Sequence, residues 1–306
     1  MGPHTGFMAT HGRDRLRFET VDVFTDAGFS GNQLAVVLGG SDLSTGQMQQ
    51  IAAEFGYSET SFVLPSEDDL HDARVRIFTP AHEVPFAGHP NVGTAFVLAL
   101  ESAAAEYRFL EGAGTVTVTV RRDEDGRATG ARLRTPAPFR TGAVLDQALI
   151  AGCLGLTGAD IRLDQHEPVV GSCGLPFLFV QLSEQDALAR VRVDVDRLVA
   201  LTDASEFTGV SVYALRGRDG ERVELTQRMF APGAGVPEDP ATGSAASALA
   251  CLRAEFDSGE PLWLIEQGQY IGRPSRIEAT VSRQDEGLFA HVAGNCVSMM
   301  SGTIRV

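Results

Sequence analysis

The sequence predicts an α+β protein of two similar domains, each a curled, mostly antiparallel sheet wrapped around a central apolar helix. Three observations predict it. First, residues 76–99 and 228–250 look like one segment written twice: Arg76, Phe78 and Pro80 match Arg228, Phe230 and Pro232. After a two-residue contraction, His89-Pro90 falls on Asp239-Pro240, and Gly93-Thr94-Ala95 on Gly243-Ser244-Ala245. The copies lie about 150 residues apart, too far for a solenoid repeat and about the length of one domain. Second, strand-like runs recur through both halves. Third, each half holds one helical segment that is apolar on nearly every side, the mark of a buried helix.

Taken in order, FETVDVF (18–24) alternates as a strand, and LAVVL (34–38) is a short apolar strand after the Gly31-Asn32 turn. A helix is predicted within 42–56, where Ser44 can cap it and Met48, Ile51, Ala52 and Phe55 recur at helical spacing. SETSFVL (58–64) and ARVRIFT (73–79) are strands, and Pro90 to Ala104 is the first buried helix. TVTVTVR (115–121) alternates cleanly, turns at Asp123–Gly126 and meets ARLRT (131–135). Proline and glycine in PAPFRTG (136–142) mark the domain crossover. The second half reads as a helix near 145–154, strands at 176–182 and 210–215, and a helix within 184–202. A strand at 222–230 then leads to the second buried helix, Pro240 to Ala254, and strands at 275–281 and 291–299 close the chain. The expected boundaries are a disordered leader over 1–15, a first domain over 16–138 with a returning strand near 296–306, and a second domain over 139–295.

Composition removes several classes of function. At 306 residues and 43% hydrophobic, the chain can bury one or two good cores. A net charge of −15 disfavours nucleic acid and anionic membrane surfaces, which need clustered basic residues. Lysine is absent, which rules out Schiff-base chemistry, pyridoxal-phosphate attachment and a Walker-A loop. Four scattered cysteines without a CxxC pair suit reduced thiols in a cytoplasmic protein. No metal-ligand motif and no dinucleotide-binding loop is present, so neither metal nor cofactor is expected.

The candidate chemistry sits at the helix starts. Proline suits the first helical position and Asp is a good cap, so Asp239-Pro240 and, less well, His89-Pro90 read locally as helix initiation. The glycine and hydroxyl residues that follow, Gly93-Thr94 and Gly243-Ser244, would also let a ligand approach unpaired N–H groups. Helix N-termini attract carboxylates, so two of them facing one cleft would hold an anion without lysine. Glu59, opening the apolar strand at 59–64, reads either as a solvated edge residue or as a proton carrier. If it faces an enclosed cleft, desolvation raises its pKa toward neutrality. His89 and Asp239 are then acid/base partners or substrate clamps. Gly171-Ser172-Cys173-Gly174 resembles a nucleophilic cysteine loop only superficially, since no histidine is placed beside it.

SGNQLAVVL (30–38), MQQIAAEFGYSETSFV (48–63), RIFTPAHEVPFAGHPNVGTA (76–95) and EDPATGSAA (238–246) together resemble the phenazine-biosynthesis PhzF-like family. The resemblance runs from about Phe18 to the C-terminus and implies the two-domain diaminopimelate-epimerase-like fold. It implies that Glu59 is the essential acid/base glutamate and that His89, Asp239 and Ser244 line the cleft. Gly88 and Gly243 match positions where backbone N–H groups meet the substrate carboxylate, and Ser58 and Thr94 join them as substrate-binding candidates. One departure is Gln33, where proline is usual after Gly-Asn; it concerns a turn. Related epimerases and racemases place a cysteine at each helix start. None stands there in this chain, which argues against a two-thiol racemase.

The expected function is a cofactor-independent isomerase that moves a proton between carbons of a small carboxylate-bearing metabolite, in natural-product biosynthesis. Glu59 would be its shuttle, and a homodimer its expected form. Two alternatives stay open: an epimerase or racemase of a small acid, and a non-catalytic small-molecule-binding protein.

Overall fold

The computed structural model describes residues 15–257 and 259–306. The predicted leader therefore lies outside the described residues, apart from Arg15, which opens the first strand. The chain divides into two units, one holding the described residues up to Pro136 together with Ala293–Val306, the other Ala137–Val292.

The first unit runs β1 (Arg15–Val23), β2 (Asn32–Leu38), α1 (Thr45–Phe55), β3 (Glu59–Leu64), β4 (Ala73–Phe78), β5 (Glu83–Val84) and α2 (Gly88–Ala99). It continues through β6 (Glu106–Glu111), β7 (Gly114–Arg122) and β8 (Ala128–Arg134). The second unit contains β9 (Arg140–Val144), α3 (Gln147–Leu154), β10 (Val169–Ser172), β11 (Pro176–Gln181), α4 (Gln185–Arg190) and α5 (Val195–Ser205). Then come β12 (Gly209–Asp219), β13 (Arg222–Ala231), β14 (Val236–Asp239), α6 (Gly243–Arg253), β15 (Leu262–Gln267) and β16 (Ser275–Gln284). The last strand, β17 (Gly287–Arg305), passes from the second unit into the first.

Parallel neighbours need a crossover, and the helices supply it. In the first unit β2 and β3 are parallel across α1, and β4 and β6 are parallel across α2; the remaining pairs are antiparallel. β1 pairs with β17, and β17 also pairs with β8, so this sheet closes on itself like a barrel. All twelve residues of α2 are buried, and the helix touches β1, β2, β3, β7 and β8. Gly93 makes the close approach possible: a Cβ there would stand 2.6 Å from Leu34 Cδ2 and 2.9 Å from Val23 Cγ2. Outside the sheet, α1 begins with the expected cap. Ser44 accepts from the Gln47 N–H, and the Gln47 side chain answers to the Ser44 N–H.

The second unit repeats this connection order. β11 and β12 are parallel across α4 and α5, and β13 and β15 are parallel across α6. Every residue of α6 is buried, against β10, β11 and β16. The written-twice segment acquires a physical basis here. On β4, Arg76 makes a two-pronged ion pair with Glu83 of β5 (2.7 and 2.6 Å) and lies over the Phe78 ring. On β13, Arg228 does the same with Glu238 of β14 (2.8 and 2.7 Å) and Phe230. The Arg-x-Phe pattern is thus an ion pair and a cation–π contact holding a short strand against a long one.

Three expectations about helices need correction. The helix expected over 90–104 spans Gly88–Ala99; it stops because the chain enters a turn in which Ser102 Oγ accepts the Ala104 N–H. The single helix expected within 184–202 is two, because the N–H groups of Arg192 and Asp194 bond to the C-terminal carbonyls of α3, Leu154 and Cys153. The helix expected from Pro240 starts only at Gly243, so Asp239 is the last residue of a strand and not a cap. β15 was not expected at all.

Candidate functional site

In the first unit the structure brings Ser58, Glu59 and His89 together through a residue that sequence reasoning treated only as a turn, Asn32. Glu59 opens β3 opposite Leu34 of β2, next to Asn32 at the start of that strand. His89 is the second residue of α2, and Pro90 is tolerated behind it because a first-turn N–H has no helical partner to lose. Ser58 Oγ donates to Asn32 Oδ1 (2.7 Å), and Asn32 Nδ2 lies 3.3 Å from His89 Nδ1. On the far side of the ring, His89 Nε2 is 3.5 Å from Glu59 Oε2.

The geometry alone would pass for an ion pair, but the imidazole is neutral. His89 is 3% exposed, and burial drives its pKa down to about 3, a backbone hydrogen bond at Gln33 opposing only in part. Glu59 keeps 18% of its side chain accessible. A partly shielded carboxylate thus faces an uncharged ring that can hydrogen-bond but not neutralise it. That is a workable environment for a group that must both take and give a proton.

The other first-unit candidates stand differently. Gly88 begins α2, whose preceding residue Ala87 makes no side-chain cap, so no side chain at that position claims the first-turn N–H groups. Thr94 sits in the second turn of α2, fully buried, and its hydroxyl finds no hydrogen-bond partner among the described residues.

In the second unit Asp239 is 4% exposed at the end of β14, and Gly243 and Ser244 open α6, again without a side-chain cap. Thr242 Oγ donates to Asp239 Oδ2 in a short hydrogen bond. Behind both lies Gln267 of β15, fully buried, which no sequence pattern marked. Its only signal was a polar residue ending the apolar run LWLIEQ (262–267). Gln267 accepts from the Thr242 N–H and donates to the Asp239 carbonyl. The Asp239 carbonyl is the acceptor that a helix starting at Pro240 would have offered to the Gly243 N–H, and with Gln267 bonded to it α6 starts at Gly243.

Cys173 and Cys251 approach to 3.9 Å, and all four cysteines are unbridged and buried. None stands in the first turn of α2 or α6. Among the described residues no cluster of His, Cys, Asp and Glu is arranged to hold a metal ion, and no helix is long and apolar enough to cross a membrane.

The class is that of a sheet-dominated α+β fold with a barrel-like closed sheet. The phenazine biosynthesis-like protein family matches residues 21–302. An uncharacterised isomerase of Mesorhizobium japonicum is 39% identical, with 93% of this chain and 97% of that protein covered. The trans-2,3-dihydro-3-hydroxyanthranilate isomerase of Pseudomonas aeruginosa is 34% identical over 94% and 98% of the two chains. The crystal structure of a PhzF-family phenazine biosynthesis protein of Bacillus anthracis superposes with a TM-score of 0.83 at 26% identity, covering 95% and 99%. The chain belongs to the PhzC-PhzF family of phenazine biosynthesis-like proteins.

Proposed function

We propose that the protein is a cofactor-independent isomerase that takes a proton from one carbon of a small, carboxylate-bearing cyclic metabolite and returns it to another. In this proposal the units are two similar domains, each rolled around its buried helix, and Glu59 is the shuttle. The observation that carries it is the 3.5 Å approach of Glu59 to a buried, uncharged His89. Asn32 holds the Nδ1 side of the ring, and Nε2 faces Glu59 at 3.5 Å. His89 therefore orients and does not titrate in the working range. Asp239 is proposed as a second acid/base group, and the uncapped starts of α2 and α6, with Ser244, carry N–H and O–H donors of the kind that bind a carboxylate. The unbridged thiols suit a reducing cytoplasm.

The relatives named above suggest the probe, trans-2,3-dihydro-3-hydroxyanthranilate, a cyclic amino acid with a ring double bond to move. Conversion is followed by absorbance, and the destination of the proton by mass spectrometry in deuterium oxide. Glu59→Gln should lose at least about 10³-fold in kcat, since it removes the only carrier rather than one of two assisting groups. It should still melt like the parent. Retention of more than a tenth of the parent rate removes Glu59 from the mechanism.

A further inference from the structure

Gln267 uses every hydrogen-bonding valence of its side-chain amide. Oε1 accepts from the Thr242 N–H (3.1 Å) and from Gln227 Nε2 (3.1 Å). Nε2 donates to the Asp239 carbonyl (2.7 Å) and to Thr242 Oγ (3.0 Å). Such an amide cannot be turned over, because a backbone N–H can only donate and a backbone carbonyl can only accept. Its orientation therefore dictates that of the Thr242 hydroxyl: one lone pair is taken by Gln267 Nε2, and the proton goes to Asp239 Oδ2. The strand end is locked against the same turn. Gly268 has φ +82°, and a Cβ there would meet the Pro240 carbonyl at 2.6 Å; Ser275 Oγ donates to that carbonyl from the neighbouring strand (2.8 Å).

We infer that Gln267 is a positioning residue: it sets the direction of the Gln227–Gln267–Thr242–Asp239 chain so that Asp239 always receives a hydrogen bond from Thr242 and works as a carboxylate. This rests on the proposed role of Asp239 in the reaction, but the direction of the chain can be tested without turnover.

The full-length protein is labelled with ¹³C-carboxyl aspartate, and the Asp239 resonance, assigned with Asp239→Asn, is titrated with pH. A hydrogen bond donated to the charged form favours that form, so its loss moves the ionisation midpoint up. Thr242→Val should raise it by about one pH unit, Gln267→Met should raise it similarly, and Thr242→Ser should restore it. Thermal melts of each variant identify any that fails to fold, and Thr242→Val with Thr242→Ser decides the matter if Gln267→Met is lost. An unchanged midpoint in folded Thr242→Val overturns the inference. If the probe acid is turned over, the acidic limb of the kcat/KM profile should follow the midpoint. If the midpoint moves and no turnover is found, the positioning role stands and the isomerase proposal fails.

Discussion

His89 makes a prediction about stability that needs no substrate. In the unfolded chain an imidazole titrates near 6.5; in the fold, burial holds it down to about 3. Between those values the unfolded chain binds a proton that the folded chain refuses, so stability falls as the pH is lowered through this window. At pH 8 neither state is protonated and the contribution vanishes. At pH 5 the free energy of protonating the unfolded imidazole is RT ln(1 + 10^1.5), about 2 kcal/mol, and all of it works against the fold. His89→Gln abolishes the titration. Urea unfolding of the parent and of His89→Gln at pH 8 and pH 5 should show the parent losing ~2 kcal/mol more than the variant. The comparison is repeated in a Glu59→Gln background, because a carboxylate 3.5 Å away would interact with a charged ring. Equal losses in parent and variant would refute a neutral His89, and with it the separation of roles between ring and carboxylate.

Three further outcomes follow from the same reasoning. Glu111, buried at the end of β6 beside Asn91, has its pKa raised to about 8, chiefly by burial. Folding therefore takes up a proton between the unfolded and folded values, and stability drops as pH rises through that window. Glu111→Gln should accordingly stabilise by ~3 kcal/mol more at pH 7.5 than at pH 5 in denaturant titrations; the opposite order would refute the buried acid. Gly93→Ala forces a methyl group to within 2.6 Å of Leu34 and 2.9 Å of Val23, and should cost about 1–3 kcal/mol. A melting temperature equal to the parent's would show that α2 does not press on β1 and β2. Ser44→Ala removes one half of a reciprocal cap at the exposed start of α1 and should cost about 1 kcal/mol by chemical denaturation, with activity unchanged.

Much of this protein is legible along the chain, because the signals are local. Alternation placed β1, β4 and β7, a serine placed the start of α1, and apolar residues on all sides marked α2 and α6 as buried. The repeated Arg-x-Phe segment pointed to two related halves, and the lack of lysine excluded whole chemistries. The ordered motifs carried the family and pointed to Glu59, His89 and Asp239 as candidates. What periodicity could not show is where strands from distant parts of the chain meet. Asn32 becomes the link between Ser58 and His89 only when β2 and β3 lie side by side. Gln267 matters only because β15 returns beside β13 and aims an amide at the turn before α6. Likewise the late start of α6 goes with that amide, which claims the Asp239 carbonyl that local propensity would have given to the helix. The neutrality of His89 is tertiary too: no neighbour in sequence dries an imidazole, whereas a closed sheet around α2 does.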